Sequence, residues 1–336
     1  MDINPKALQN ALVEVLSVGL VPFITGSPGI GKSDIVKQVA QEFNLELIDV
    51  RLSQLDPTDL NGIPFAVNGR LEYLPPKTIP IEGDKVPEGK SGWLLFLDEF
   101  NSAPLSVQAA SYKLILDKQV GQYTLHPKVA TILAGNKASD RAIVNRISTA
   151  MQSRLIHFNL EVTSEDWLSW AEDNNIDHRI KSFIRFRPEL LHKFNPTHSD
   201  NTFPTPRTWA FCNKLIKDKP INSNILPILA GTIGEGTSIE FKGFLDVYQE
   251  IPEFKDILAK PASIKISEEP SHLYAITGMI ANNINESNLP KLMAYIERLP
   301  KEFQVITLQN CIVKNKALVK IKEVQGWIKA NASELM

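Results

Sequence analysis

Apolar residues recur at helical spacing over residues 5–18 (Leu8, Leu12, Val15, Leu16), and the run stops at Gly19, a residue suited to ending a helix. A short apolar stretch over 20–25 is closed by Gly26, and helical periodicity resumes over 33–43. Residues 45–52 alternate apolar and polar positions, as a half-buried strand does. Residues 93–97 are apolar throughout, as expected of a central strand covered on both faces. Residues 129–134 and 155–160 complete five predicted strands, with helical stretches such as 106–118 between them. The alternation predicts a doubly wound, largely parallel α/β sheet over residues 1–160.

Between 56 and 90 the pattern breaks. Pro57, Pro64, Pro75, Pro76, Pro80 and Pro87 punctuate the segment, so no regular helix runs through it. Within it, the Asn68-Gly69 pair is flanked by strand formers from Phe65 to Tyr73, a strong hairpin signal. A smaller hairpin is predicted around Gly121, over 119–125. After Glu161 the strand pattern fades, and helices are predicted over 167–172, 179–186 and 208–216. These define an all-helical domain over 161–252, followed by a helical extension over 253–336. The extension is interrupted at Pro261, Pro270, Pro290 and Pro300 and ends in a lysine-rich stretch, 314–329, that reads as the solvated face of a helix.

Composition narrows the function classes. The 336 residues are 43% hydrophobic and 22% charged, values of a globular chain with room for about two domains. The 36 basic and 38 acidic residues sum to −2, so no global field draws the chain to a phosphate backbone or an anionic membrane, and nucleic acid is not an expected partner. Cys212 and Cys311 fit neither a disulfide framework nor a zinc spacing. No apolar run approaches the ~18 residues of a spanning helix, and the start lacks the pattern of a signal peptide, so a cytoplasmic location is expected.

The chemistry begins at Gly26-Ser27-Pro28-Gly29-Ile30-Gly31-Lys32-Ser33, which fits the phosphate-binding pattern G-x-x-x-x-G-K-[ST]. Glycines let consecutive backbone N–H groups face one anion at a helix N-terminus. Lys32 adds a point charge at the terminal phosphates, and Ser33 supplies a hydroxyl ligand for Mg²⁺. The motif follows a predicted strand and opens a predicted helix, the context it requires. Asp98 and Glu99 follow the apolar strand at its carboxyl end, where ligands bind in open α/β sheets. A division of labour suits the pair: Asp98 completes the Mg²⁺ shell, and Glu99 polarises the water that attacks the γ-phosphate. Asn136 closes the next strand and is a candidate to orient that water.

These residues, together with Met-Gln-Ser-Arg154-Leu and Thr-Pro-Arg207-Thr-Trp, resemble the AAA+ ATPases, in the branch of MoxR-type proteins and dynein-related and midasin-like modules. The resemblance covers about the first 250 residues. It implies a P-loop fold with an all-α lid. Asn136 would be sensor 1, Arg154 the arginine finger reaching a neighbouring subunit's γ-phosphate, and Arg207 the sensor 2 arginine on the lid. Arg146 and Arg141 are competing finger candidates. Charge supplied in trans suits a transferring phosphoryl group, and Arg207, just after Pro206, falls in the first turn of a predicted helix. The segment 55–64 and the hairpin at 119–125 correspond to inserts that face the pore in such proteins, which makes Phe65 and Tyr73 candidates to grip a partner.

The resemblance implies a Mg²⁺- and ATP-dependent ATPase, working as a ring, a hexamer by family pattern, that remodels or activates a protein partner containing a von Willebrand factor A domain. ATP is favoured over GTP on this resemblance alone. Two other readings remain open from the residues: a nucleic-acid motor or GTPase of a restriction system, and a scaffold that binds nucleotide only to assemble.

Overall fold

Every residue of the run over 93–97 points into one of two apolar layers, which is why it shows no polar alternation. The computed structural model describes residues 2–140, 144–195, 200–220 and 224–331. It divides into two compact units, Met1–Asp166 with Asn195–His198, and Trp167–Phe194 with Ser199–Met336.

The first unit is an α/β fold. Its strands are β1 (Asp2–Ile3), β2 (Pro22–Thr25), β3 (Leu45–Arg51), β4 (Ile63–Val67), β5 (Arg70–Leu74), β6 (Gly92–Asp98), β7 (Gln119–Val120), β8 (Tyr123–Thr124), β9 (Val129–Gly135) and β10 (Ile156–Leu160). Six form one parallel sheet in the order β1-β10-β2-β9-β6-β3. Its helices are α1 (Pro5–Ser17), α2 (Lys32–Glu42), α3 (Pro57–Asn61), α4 (Leu105–Leu116) and α5 (Thr149–Gln152). On one face of the sheet Leu94, Phe96, Ile24 and Ile132 pack under Leu8 and Leu12 of α1 and Val36 and Val39 of α2. On the other, Leu95, Leu97, Phe23 and Leu133 pack with Val107, Leu114 and Ile115 of α4. The five expected strands are all present; β1, two residues long at the sheet edge, was too short to show as a pattern.

The order of the sheet positions the chemistry. Because β9 pairs with β2 on one side and β6 on the other, the carboxyl ends of these three strands lie side by side. In a parallel sheet those ends open on one crevice.

The hairpin of β4 and β5 forms at Asn68-Gly69, with φ of 51° and 75° at the two turn residues, as a type I′ turn requires. Leu71 is 73% exposed on it, and Phe65 and Tyr73 each 39%. The smaller hairpin pairs Gln119 with Thr124 and Val120 with Tyr123.

Among its described residues the second unit holds helices and no strand: α6 (Ser164–Asp173, which begins in the first unit), α7 (His178–Phe186), α8 (Pro206–Ile216), α9 (Ile225–Ile233), α10 (Glu235–Glu250), α11 (Phe254–Ala259), α12 (Pro270–Asn283), α13 (Leu289–Ile296), α14 (Lys301–Lys314) and α15 (Lys322–Ala330). Trp209 is fully buried, donates its indole N–H to the Leu190 carbonyl at 2.9 Å, and packs on Phe183 and Phe241. α12 lies close against α7, and a Cβ on Gly278 would collide with the Ser182 hydroxyl. The segments expected over 161–252 and 253–336 therefore share one packed core. In the lysine-rich stretch, Leu318, Val324 and Trp327 turn inward, while Lys316, Lys320, Lys322 and Lys329 are exposed.

His178 gives this unit a pH-dependent term. Burial pushes its imidazole from the ordinary 6.5 down to about 4; the Asp177 carboxylate, 3.6 Å away, opposes the shift, and the cations Arg179, Lys181 and Lys314 add to it. Between those two values the unfolded chain binds a proton that the folded chain refuses, so stability present above pH 6.5 is lost as the pH falls toward 4. Allowing for partial exposure of the ring, the expected loss is about 2 kcal/mol. Thermal melts between pH 7 and pH 4 should show this slope, and His178→Gln should flatten it; an equal slope in the variant would refute the assignment.

Candidate nucleotide site

The loop between β2 and α2 is built from backbone conformation. Gly29 has φ of 76°, and Gly31, which precedes the first helical residue, has φ of 95°, values that L side chains avoid. Gly31 supplies no side-chain cap, so the first turn of α2 presents backbone N–H groups outward, an arrangement that suits a phosphate. Gly26 has Leu160 and Ile30 against the position of any added Cβ.

Lys32 is only 9% exposed. Its ammonium donates to the carbonyls of Gly26 at 2.6 Å and Ser27 at 3.1 Å, and to Asn136 Oδ1 at 3.4 Å. The lysine thus bridges the loop after β2 and the residue that follows β9. Ser33 donates its hydroxyl to Asp98 Oδ2 at 3.4 Å. Both atoms are hard oxygen donors of the type Mg²⁺ takes, and one hydroxyl with one carboxylate leaves positions for phosphate oxygens and water. No group of three or more His, Cys, Asp or Glu suited to a metal occurs among the described residues. Asp49, on β3, adds negative charge here: burial and the charge of Asp98 both raise its pKa above the ordinary carboxylate value, while Arg51 and Lys37 oppose this.

Asp98 and Glu99 diverge because the chain turns between them. Glu99 has φ of 56°, and its N–H donates to Asp98 Oδ1 at 2.8 Å. One carboxylate then faces Ser33, while the other accepts a hydrogen bond from the Ser53 hydroxyl, just beyond β3.

Sequence reasoning missed three polar residues here. Ser53 holds Glu99. Asn101 donates to the Asn136 carbonyl at 2.8 Å and accepts from its N–H at 3.0 Å. Asn145 donates its N–H to the Asn101 carbonyl at 2.7 Å and its side-chain amide to Ala103 at 2.9 Å. An asparagine shortly after an Asp-Glu pair at a strand end was the signal available for Asn101.

Arg154 is exposed just before β10, its guanidinium donating to the Ala150 carbonyl at 2.7 Å. Arg146 is likewise exposed, and Arg141 lies outside the described residues. Arg207 is an exposed residue in the first turn of α8, in the helical unit; Thr205 caps that helix by accepting from the Thr208 N–H at 3.1 Å.

No helix among the described residues is long and apolar enough to cross a membrane. No curated protein matches the chain. Among solved structures, a Thermotoga maritima RuvB Holliday junction branch migration motor is 16% identical over 77% of this chain and 76% of its own, with a TM-score of 0.38. A structure from Cytophaga hutchinsonii described as a candidate ATPase is 15% identical over 97% of this chain and 88% of its own, with a TM-score of 0.35. A family model, the AAA domain of the dynein-related subfamily, matches residues 22–155. That span holds the phosphate loop, the paired carboxylates, Asn136 and Arg154.

Proposed function

We propose that the protein hydrolyses ATP with Mg²⁺ in a homo-oligomeric ring of MoxR type, hexameric by family pattern, and spends the cycle on remodelling a protein partner that carries a von Willebrand factor A domain. The observation that carries the hydrolytic part is the convergence of Lys32, Ser33, Asp98, Glu99 and Asn136 at the adjoining ends of β2, β6 and β9.

The phosphates rest on the loop N–H groups, and Lys32 leaves the carbonyls of Gly26 and Ser27 to meet the terminal oxygens. Ser33 and Asp98 would hold Mg²⁺, which neutralises charge on the β and γ oxygens. Glu99 takes the proton of the attacking water as its oxygen bonds to γ-phosphorus and the bond from γ-phosphorus to the β–γ bridging oxygen breaks. Asn136 directs its amide N–H₂ at the same water, since its Oδ1 faces Lys32.

Charge develops on the γ-phosphoryl oxygens away from the loop, and a cation there accelerates transfer by about 10³–10⁵. Arg154 is exposed on the surface of its own unit, which supports the reading that it serves the next subunit. Arg154→Ala should bind ATP and assemble as the wild type does, yet lose at least ~100-fold in turnover. Mixing it with Glu99→Gln tests the trans contact. Each inactive chain supplies what the other lacks, so in randomly mixed rings about a quarter of interfaces should be whole and about a quarter of wild-type phosphate release should return. Unreduced turnover in Arg154→Ala, or no recovery on mixing, would refute this finger.

A further inference from the structure

The geometry points to Asn101 as a positioning residue for hydrolysis, one that acts through Asn136 without touching nucleotide itself; this rests on the hydrolytic reading above. Asn101 is 4% exposed, in the short turn that follows Glu99. Its side-chain amide is committed to one neighbour: Nδ2 donates to the Asn136 carbonyl at 2.8 Å, and Oδ1 accepts the Asn136 N–H at 3.0 Å. Asn136 follows the last residue of β9, where ladder pairing no longer fixes the backbone. The reciprocal pair replaces that constraint and sets the direction in which the Asn136 side chain leaves the strand.

Two further contacts make the device specific. Gly135 leaves the space that Asn101 Oδ1 occupies, and a Cβ there would sit well inside van der Waals contact of it. Asn145 donates its N–H to the Asn101 carbonyl at 2.7 Å, and its side chain donates to Ala103 at 2.9 Å. Asn101 thereby joins the turn that carries Glu99, the end of the strand that carries Asn136, and the segment that precedes Arg146. A small change in that turn is transmitted to the amide that faces Lys32, and a misplacement of about 1 Å costs a reacting group on the order of 10²-fold in rate.

The test uses the full-length protein with Mg²⁺ and ATP. Asn101→Ala should lower kcat at least tenfold and leave ATP affinity, read by titration of a fluorescent ATP analogue, within threefold of wild type. Asn101→Asp, which keeps an acceptor for the Asn136 N–H but presents no donor to its carbonyl, should lie between the two. In an Asn136→Ala background the same Asn101→Ala change should cost less than twofold, because the group it positions is gone. Unchanged kcat overturns the inference. So does a loss of affinity matching the loss of kcat, or an undiminished cost in the Asn136→Ala background. If Asn101→Ala fails to fold, Asn101→Asp carries the same comparison. Wild-type turnover measured alongside separates the two levels: its absence overturns the hydrolytic reading, whereas its presence with an unaffected Asn101→Ala overturns only the role of Asn101.

Discussion

Glu99→Gln is expected to lower ATP turnover by about 10²–10⁴-fold while nucleotide stays bound, because it removes the base and keeps the shape of the side chain. In the structure Glu99 accepts from Ser53, and the backbone turn at φ of 56° carries it away from Asp98. The amide can still accept from the Ser53 hydroxyl, so the local fold should persist. The loss should appear in kcat, with affinity for ATP unchanged or tighter. Phosphate release by a coupled assay and ATP retention on gel filtration check this together. Turnover within threefold of wild type would show that another group takes the proton.

Lys32→Ala should act earlier, on binding. The ammonium of Lys32 gathers the loop carbonyls and Asn136 Oδ1 around one buried charge. Removing a charge-assisted contact costs about 1.5–3 kcal/mol in binding, roughly 10- to 160-fold in Kd. The same change removes positive charge from the terminal phosphate in the transition state, so turnover should fall further than affinity. Truncation also leaves the Gly26 and Ser27 carbonyls without their donor, and Lys32→Gln is the control that fills the space. Weakened binding in both variants, with melting temperatures near that of the wild type, is the expected result; retention of ATP at wild-type affinity would place the phosphates elsewhere.

The elements on which these effects depend were legible in the chain because their signals are local. A loop of Gly29 and Gly31 must take left-handed φ, and only its spacing to Lys32 is needed to recognise it. The run over 93–97 reads as a covered strand for the same reason that it packs as one, with Leu94 and Phe96 on one face and Leu95 and Leu97 on the other. Asn68-Gly69 fixes its hairpin through two residues.

What escaped the sequence is what depends on contacts between distant residues. The strand order that sets Asn136 beside Lys32 follows from crossover packing, and a pattern along one strand holds no record of its neighbours. Ser53 and Glu99 are 46 positions apart, and Asn101 and Asn136 are 35 apart. Serine and asparagine are also common turn residues, so neither stood out. The shared core of α7 and α12 was hidden by Pro261 and Pro270, which interrupt the helical pattern; Pro270 opens α12, a helix that returns to pack on Ser182. Arg154, Arg146 and Arg207 could be picked out as candidates from order and neighbours.

The most direct measurement is phosphate release from ATP by the purified wild-type protein, followed with and without Mg²⁺ and beside the nucleotide retained after gel filtration. The account predicts bound nucleotide and steady release that stops when the metal is chelated. If the protein neither retained nor cleaved ATP, GTP or any other nucleoside triphosphate, a phosphate site built on Lys32 with a hydrolytic carboxylate beside it would be contradicted.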